Sequence, residues 1–267
     1  MSDNRDQLDK LLALMSQLRD AKTGCPWDQQ QTFDSLVPYT IEESYEVADA
    51  ISRQNWGDVK DELGDLLYQI IFYSQIGKEE GKFEFNDIAE AINSKLIRHH
   101  PHVFKDKNDQ VIEPKNVDWE QLKSQERQEK GLTSILDDIS ASLPAMMRAE
   151  KLQKRCSKYG FDWDHLEPVV AKVHEEIDEV MEEAEAETLN QIRIEEEMGD
   201  LLFAVVNMSR HLNVNPEQAL LKANRKFEQR FRFVEQAINE KGSSLQQSSL
   251  QEMDLEWERV KQNERKV

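Results

Sequence analysis

Glu42-Glu43-Ser44-Tyr45-Glu46, followed by Glu62-Leu63-Gly64-Asp65-Leu66-Leu67, reads EExxE, a spacer, then ExxDLL. The same sentence recurs as Glu175-Glu176-Ile177-Asp178-Glu179 and Glu197-Met198-Gly199-Asp200-Leu201-Leu202. Carboxylates three residues apart project from one face of a helix, so each copy offers two carboxylate pairs on two successive helical segments. Four converging carboxylates are hard oxygen ligands whose natural guest is Mg²⁺. The residues between them are spaced helically as well. Ile41, Tyr45, Val47, Ala48 and Ile51 mark a helix over 38–53, and Leu63, Leu66, Leu67, Ile70 and Ile71 form an apolar stripe, read as buried, over 58–77.

Working outward, Glu43 and Glu176 lie 133 positions apart and Asp65 and Asp200 lie 135 apart, a slow drift that marks tandem copies with small insertions. The chain therefore reads as two helical domains, 1–130 and 131–267, with the boundary at Gly131-Leu132-Thr133-Ser134. Only 9 Gly and 7 Pro interrupt 267 residues, and no convincing strand emerges beyond a short extension at 83–85, so the class is all-α. Leu8, Leu11, Leu12, Met15 and Leu18 predict a first helix, residues 20–31 a loop holding Gly24-Cys25-Pro26-Trp27-Asp28, and Phe85 the start of a helix to about His99. Residues 105–118 read as loop and 119–130 as helix. In the second copy, helices are expected from Pro144 to about Lys158, over 168–187, 194–212 and 216–241, and from Leu250 onward, with 242–249 as linker. Gly160-Phe161-Asp162-Trp163-Asp164 repeats the earlier Gly-x-x-Trp-Asp loop.

A net charge of −19 repels duplex DNA and anionic lipid, though not a small anion carried on a metal. Cys25 and Cys156 are non-equivalent and form no CxxC, which implies neither disulfide framework nor zinc site and makes the reduced cytosol the expected compartment. MSDNRDQLDK is no signal peptide, and no apolar run approaches a membrane span.

Glu-rich helices are usually solvated faces. Solvation, however, does not require ExxD followed by Leu-Leu at matching positions in two copies. Asp65 and Asp200 stand among leucines and a methionine, where an unpaired carboxylate is costly. Gly64 and Gly199 weaken their helices and predict close approach of a neighbour or ligand. None of the six histidines has Glu three residues earlier, which removes a di-iron carboxylate bundle and leaves Mg²⁺ or Mn²⁺.

The paired motifs, twice, together with Gly-Cys-Pro-Trp-Asp near the start and His-Pro-His-Val-Phe at residues 100–104, resemble the MazG-type nucleoside triphosphate pyrophosphohydrolases over nearly the whole chain. The resemblance implies an all-α fold with a four-helix-bundle core in each tandem domain, a homodimer, and Mg²⁺-dependent conversion of NTP to NMP and pyrophosphate. Carried over residue by residue, it implies metal ligands Glu43, Glu46, Glu62 and Asp65 in the first copy and Glu176, Glu179, Glu197 and Asp200 in the second, the latter four also catalytic. The chemistry implied is in-line attack of a metal-activated water on the α-phosphorus.

Phosphate and base contacts need other groups. Lys226 and Arg230 share a helix face and tilt toward nucleotide contact, with Asn224 beside them, whereas Lys222 and Arg225 read as ordinary salt-bridging residues. Trp257 and Lys261 repeat Trp119 and Lys123, and Lys172 and Glu175 stand one turn before and beside Glu176. Trp163 and Phe161 read as packing residues rather than base platforms. Asn207, two turns past Asp200, aligns with Phe72. That contrast, with Ala91 and His99 where the second copy has Lys222 and Arg230, predicts that the C-terminal copy carries most of the activity. The competing readings are a helical regulatory module that binds nucleotide or metal without turnover, and a divalent-ion buffer, which the absence of an EF-hand loop disfavours.

Overall fold

A computed structural model describes residues 2–100, 103–104, 127–128 and 131–264. Among them are ten α-helices, one short 3₁₀ turn and no strand, so the all-α class holds and residues 83–85 are not extended into a sheet. The chain divides into two compact units, Met1–Leu122 and Lys123–Val267. The loop expected over 105–118, most of the helix expected over 119–130, and Trp119 and Lys123 lie outside the described residues.

The first unit contains α1 (Ser2–Leu18), α2 (Pro26–Gln30), α3 (Phe33–Arg53), α4 (Trp56–Glu79) and α5 (Phe85–His99). Residues 26–30 are thus a short helix inside the expected loop. Its approach is tight: a Cβ on Gly24 would meet the Leu18 carbonyl oxygen at 2.3 Å. Helix α3 begins five residues before the expected Pro38. Thr32 and Ser35 form a reciprocal capping box, with Ser35 N–H donating to Thr32 Oγ1 at 3.2 Å and Thr32 N–H to Ser35 Oγ at 2.9 Å. That start satisfies donors that would otherwise be orphaned, while Pro38 removes only one intrahelical bond. Helices α3 and α4 pack along each other, with α1 and α5 against α4. Met15, Leu36, Ile71, Phe72 and Ile76 form the buried core, with Leu8, Leu11 and Leu12 packed onto it.

The expected buried stripe of α4 is corrected by this packing. Of its five residues only Ile71 is buried; Leu63 and Ile70 remain 49% and 40% exposed, and Leu67 is exposed too. Ile71 joins Phe72 and Ile76 in the core with Met15 of α1, while Val37, Ile41 and Tyr45 of α3 are exposed as well.

The second unit contains α6 (Ala145–Ser157), α7 (Leu166–Ala184), α8 (Gln191–His211), α9 (Pro216–Glu240) and α10 (Leu250–Glu264), with a 3₁₀ turn at Leu245–Gln247 inside the expected linker. Helices α7 and α8 repeat the α3–α4 pair. Even the caps repeat: Asn55 Oδ1 accepts from Gly57 and Asp58 N–H, and Asn190 Oδ1 from Ile192 and Arg193 N–H. Helix α6 packs on α8, and α9 pairs with α10. A Cβ on Gly64 or Gly199 would meet no atom within 4 Å among the described residues, so none of these makes the close approach expected there.

Candidate active site

Helices α7 and α8 bring Glu176, Glu179 and Glu197 together, one carboxylate oxygen from each lying within 4.8 Å of the other two. The i,i+3 spacing places the first pair on one face of α7, and the antiparallel neighbour supplies the third. Glu176 is 5% exposed. Its Oε1 pairs with Lys172 Nζ at 2.7 Å, while its Oε2 is buried and receives no hydrogen bond. An orphaned buried acceptor is costly unless something positive meets it. Glu179 is held above the usual carboxylate range, chiefly by its hydrogen-bonding contact with Glu176 and then by desolvation. Crowded acceptor oxygens short of donors are the donor set that a divalent cation completes.

Two cations flank the cluster. Hydrogen bonds to Glu175 and Glu176 hold Lys172 firmly protonated. Arg193, which the sequence did not single out, reaches Glu197 at 2.6 Å and Glu196 at 3.0 Å. Asp200, one turn beyond Glu197, does not belong to the close triad but lines the cavity beside it.

That cavity, about 610 Å³, opens among α6, α7, α8 and the 160–163 loop. Lys172, Glu176 and Asp200 stand in its wall together with Val169, Phe203 and Asn207. Phe161 and Trp163 line it too, and Phe161 is 83% exposed, which corrects the expectation that these rings act as packing. They follow Gly160, which takes φ +84°. Within the wall, Arg210 donates to both oxygens of Asp162 and twice to Asn207 Oδ1, at 3.0 and 2.7 Å. His211 Nε2 lies 3.0 Å from Asp162 Oδ1. Arg210, foremost, and His211 hold the Asp162 carboxyl below its ordinary range. Neither Asp162 nor Arg210 was legible as functional in the sequence.

The first unit assembles Glu43, Glu62 and Asp65 within the same 4.8 Å limit; Glu46 stands outside that triad. Desolvation, reinforced by neighbouring carboxylates, raises Glu43 and Glu62. Its surroundings differ. Trp27 packs edge-on against Phe72 at 6.4 Å and Tyr39 at 5.9 Å, and Tyr68 meets Phe72 edge-on at 5.7 Å. Tyr68 donates to Asp28 Oδ1 at 3.0 Å, and burial, then that contact, pushes its hydroxyl up to about 12. By the spacing of the repeats, Tyr39 stands where the second copy has Lys172, and Phe72 where it has Asn207. Aromatic rings occupy the polar positions.

The basic stretch of α9 assembles with α10 instead of with the cavity. Arg230 pairs with Glu264 and lies over the Trp257 ring at 5.6 Å, and Trp257 packs on Phe227 at 5.2 Å. Lys261 pairs with Glu258. Among the described residues, Asn224, Lys226, Arg230, Trp257 and Lys261 do not line the cavity, and Glu175 reaches it only through Lys172.

Comparison with known proteins matches the MazG nucleotide pyrophosphohydrolase domain twice, over residues 31–104 and 165–234, each span enclosing one carboxylate cluster. A nucleoside triphosphate pyrophosphohydrolase of Escherichia coli K12 is 53% identical over 259 residues, covering 97% of this chain and 98% of that one. A protein of Thermotoga maritima named nucleoside triphosphate pyrophosphohydrolase/pyrophosphatase MazG is 42% identical over 253 residues, 95% of each chain. A nucleoside triphosphate pyrophosphohydrolase of Mycolicibacterium smegmatis is 35% identical over 157 residues, which cover 58% of this chain and 47% of the relative.

Proposed function

The chain belongs to the MazG family of nucleotide pyrophosphohydrolases, and from that membership we propose that it hydrolyses nucleoside triphosphates to monophosphate and pyrophosphate at the second-unit cavity. One observation carries the reading: the carboxylate triad and the 610 Å³ cavity share Glu176, so a metal site and an organic-ligand site are contiguous.

The residues fit Mg²⁺, with Mn²⁺ as substitute, because Glu176, Glu179 and Glu197 offer converging oxygens and Glu176 Oε2 is an unmet buried acceptor. Asp200, one turn from Glu197 in the cavity wall, is the fourth ligand. When bound, the ion supplies charge neutralisation of the triphosphate and acidification of a coordinated water. The chain's own residues do the rest. Lys172 stays charged beside the carboxylates and holds a phosphate oxygen. Glu179, already near a proton-sharing contact with Glu176, is placed to orient a water and take its proton. The apolar cavity wall excludes bulk water from the nucleoside end. Arg230 and Lys261, held on α9 and α10 by Glu264 and Glu258, and Lys226 beside them are reserve contacts for the outer phosphates.

The first unit binds metal through Glu43, Glu62 and Asp65, with Glu46 nearby, yet carries little turnover because aromatic side chains fill its ligand space. We place the protein in the cytoplasm as a homodimer. The apolar face of α3 and α4 and its counterpart on α7 and α8 (Ile177, Met181, Met198 and Leu202) support the dimer. Among the described residues no helix is long and apolar enough to cross a membrane.

Chromatography of products after incubation with Mg²⁺ and mixed NTPs tests the reading. NMP and pyrophosphate are expected, with activity lost in EDTA and restored by Mg²⁺ or Mn²⁺. NDP as the first product would overturn it, and saturable nucleotide binding without any turnover would favour the regulatory-module alternative.

A further inference from the structure

Residues 131–138 lie between the two spans that match the MazG domain, and an arginine of the second unit holds them. Arg155, in the last turn of α6, donates through one guanidinium nitrogen to the Ile135 carbonyl at 2.7 Å and to Asp138 Oδ1 at 3.1 Å. Those two bonds straddle Leu136, which lines the cavity together with Leu152 and Cys156 of α6. The segment also braces itself. Asp137 Oδ2 accepts from the Thr133 and Ser134 N–H groups at 3.0 and 2.8 Å, and Leu136 N–H donates to Ser134 Oγ at 3.2 Å. Asp138 takes φ +67°, a left-handed conformation that a residue other than glycine keeps only where its surroundings hold it. The Arg155 bond to its carboxylate is such a hold.

A wall made from a connecting segment is only as fixed as what pins it. Leu136 is 38% exposed, so its place beside the cavity comes from the bonds on either side of it rather than from burial in a core. Resting on the reading of the cavity as the nucleotide site, we propose that residues 134–138 form a strap that closes one side of the cavity through Leu136, and that Arg155 is a positioning residue that sets the strap. Bonds from a guanidinium to a carbonyl and a carboxylate are directional, and the carboxylate bond is charge-assisted, so they fix where Leu136 stands. The Leu136 side chain has no donor or acceptor and serves the organic part of a ligand, not its phosphates. The first unit uses the matching arginine differently. Gly24 and Trp27 recur as Gly160 and Trp163, 136 positions on, which sets Arg155 opposite Arg19. Arg19 grips Glu79 and the carbonyls of Asp28 and Gln31, residues that follow it in the chain. Arg155 grips residues that precede it, so in the second unit the same position holds the connector.

The test is a double-mutant cycle read by equilibrium binding to the full-length protein. The best bound of the four α,β-methylene ribonucleoside triphosphates, which cannot be cut at that bridge, is titrated by calorimetry in Mg²⁺ beside inorganic tripolyphosphate. Leu136→Ala and Arg155→Met should each weaken the analogue about three- to tenfold, less than a fully enclosed methylene is worth. The double variant should be no weaker than the worse single one, because both remove the same wall. Arg155→Lys, which keeps a charged donor, should restore most of the affinity. Tripolyphosphate, which has nothing for Leu136 to touch, should stay within about twofold throughout. Leu136→Ala trims a half-exposed side chain and decides the matter even if Arg155→Met folds poorly. Unchanged analogue affinity in Leu136→Ala, independent losses that multiply in the double variant, or an equal loss of tripolyphosphate would each overturn the strap and leave the nucleotide reading in place. So would an Arg155→Met protein that melts earlier yet binds the analogue as the wild type does. A wild type that binds none of the four analogues would remove the nucleotide reading and the strap with it.

Discussion

Phe72→Ala separates the two units most sharply. The Phe72 side chain is fully buried in a core with Met15, Leu36, Ile71 and Ile76, meets Trp27 and Tyr68 edge-on, and has the Arg19 guanidinium 5.4 Å from its ring centre. Truncating a buried phenylalanine costs about 3–5 kcal/mol. The two edge-to-face contacts, worth about 0.5–1.5 kcal/mol each, place this site at the upper end of that range. Against a domain stability of roughly 5–15 kcal/mol, the loss removes a large part of what holds Met1–Leu122 together. At roughly 3–6 °C per kcal/mol for a domain of this size, the first unit should melt about 10–30 °C earlier. Urea and thermal unfolding followed by tryptophan fluorescence should show this as an early transition, because Trp27 and Trp56 report on the first unit and Trp163 and Trp257 on the second. NTP hydrolysis below that transition should be largely retained. A loss of stability under about 1 kcal/mol would mean that the ring does not fill the core. Abolished turnover in a protein whose second unit remains folded would mean that the aromatic plug belongs to the catalytic machinery.

Glu176→Ala or Asp200→Ala should leave circular dichroism near that of the wild type and abolish Mg²⁺-dependent turnover, whereas Glu43→Ala with Glu46→Ala should spare most of it; the reverse ranking would refute the assignment of turnover to the second unit. Mg²⁺ should raise the melting temperature, by an amount corresponding to about 2.7 kcal/mol at a hundredfold excess over Kd. Glu43, Glu62 and Glu179 are held above their ordinary range, so their contribution to stability is present below the unfolded value and is lost as pH rises through the folded one. Mg²⁺ takes the place of those protons, so its stabilisation should be slight near pH 4.5 and full at neutrality, and a pH-independent shift in scanning calorimetry would contradict the clusters as its origin. Light scattering should give a dimer of the 31.2 kDa chain, and Leu63→Glu with Ile70→Glu should drive it to monomer; an unaltered dimer would mean that this face is not the interface.

The helices were legible because their signals are local: the carboxylate spacing, the apolar periodicity and the scarcity of glycine and proline all act within one or two turns. The boundaries that slipped did so for equally local reasons. Pro38 looked like a helix start, yet the Thr32–Ser35 box five residues earlier satisfies more backbone donors than the proline removes. Burial was less legible. Helical spacing defines a stripe on α4 but not which partner covers it, and Leu63, Leu67 and Ile70 turn out to face away from the packed core. The carboxylates could be found because a repeat exposes them, while the Asp162–Arg210–Asn207 network joins positions 48 residues apart and leaves no periodic trace. Asn207 itself was visible only by contrast with Phe72, and its fixed amide orientation emerges only once Arg210 stands beside it.

Hydrolysis in ¹⁸O-labelled water, with both products weighed by mass spectrometry, tests the central claim most directly. Water delivered to the α-phosphorus from the Glu176, Glu179 and Glu197 cluster must leave its oxygen on the nucleoside monophosphate. One labelled oxygen in NMP and none in pyrophosphate is the predicted result, absent in Glu176→Ala. Label recovered in pyrophosphate would place the attack on the β-phosphorus and contradict the account.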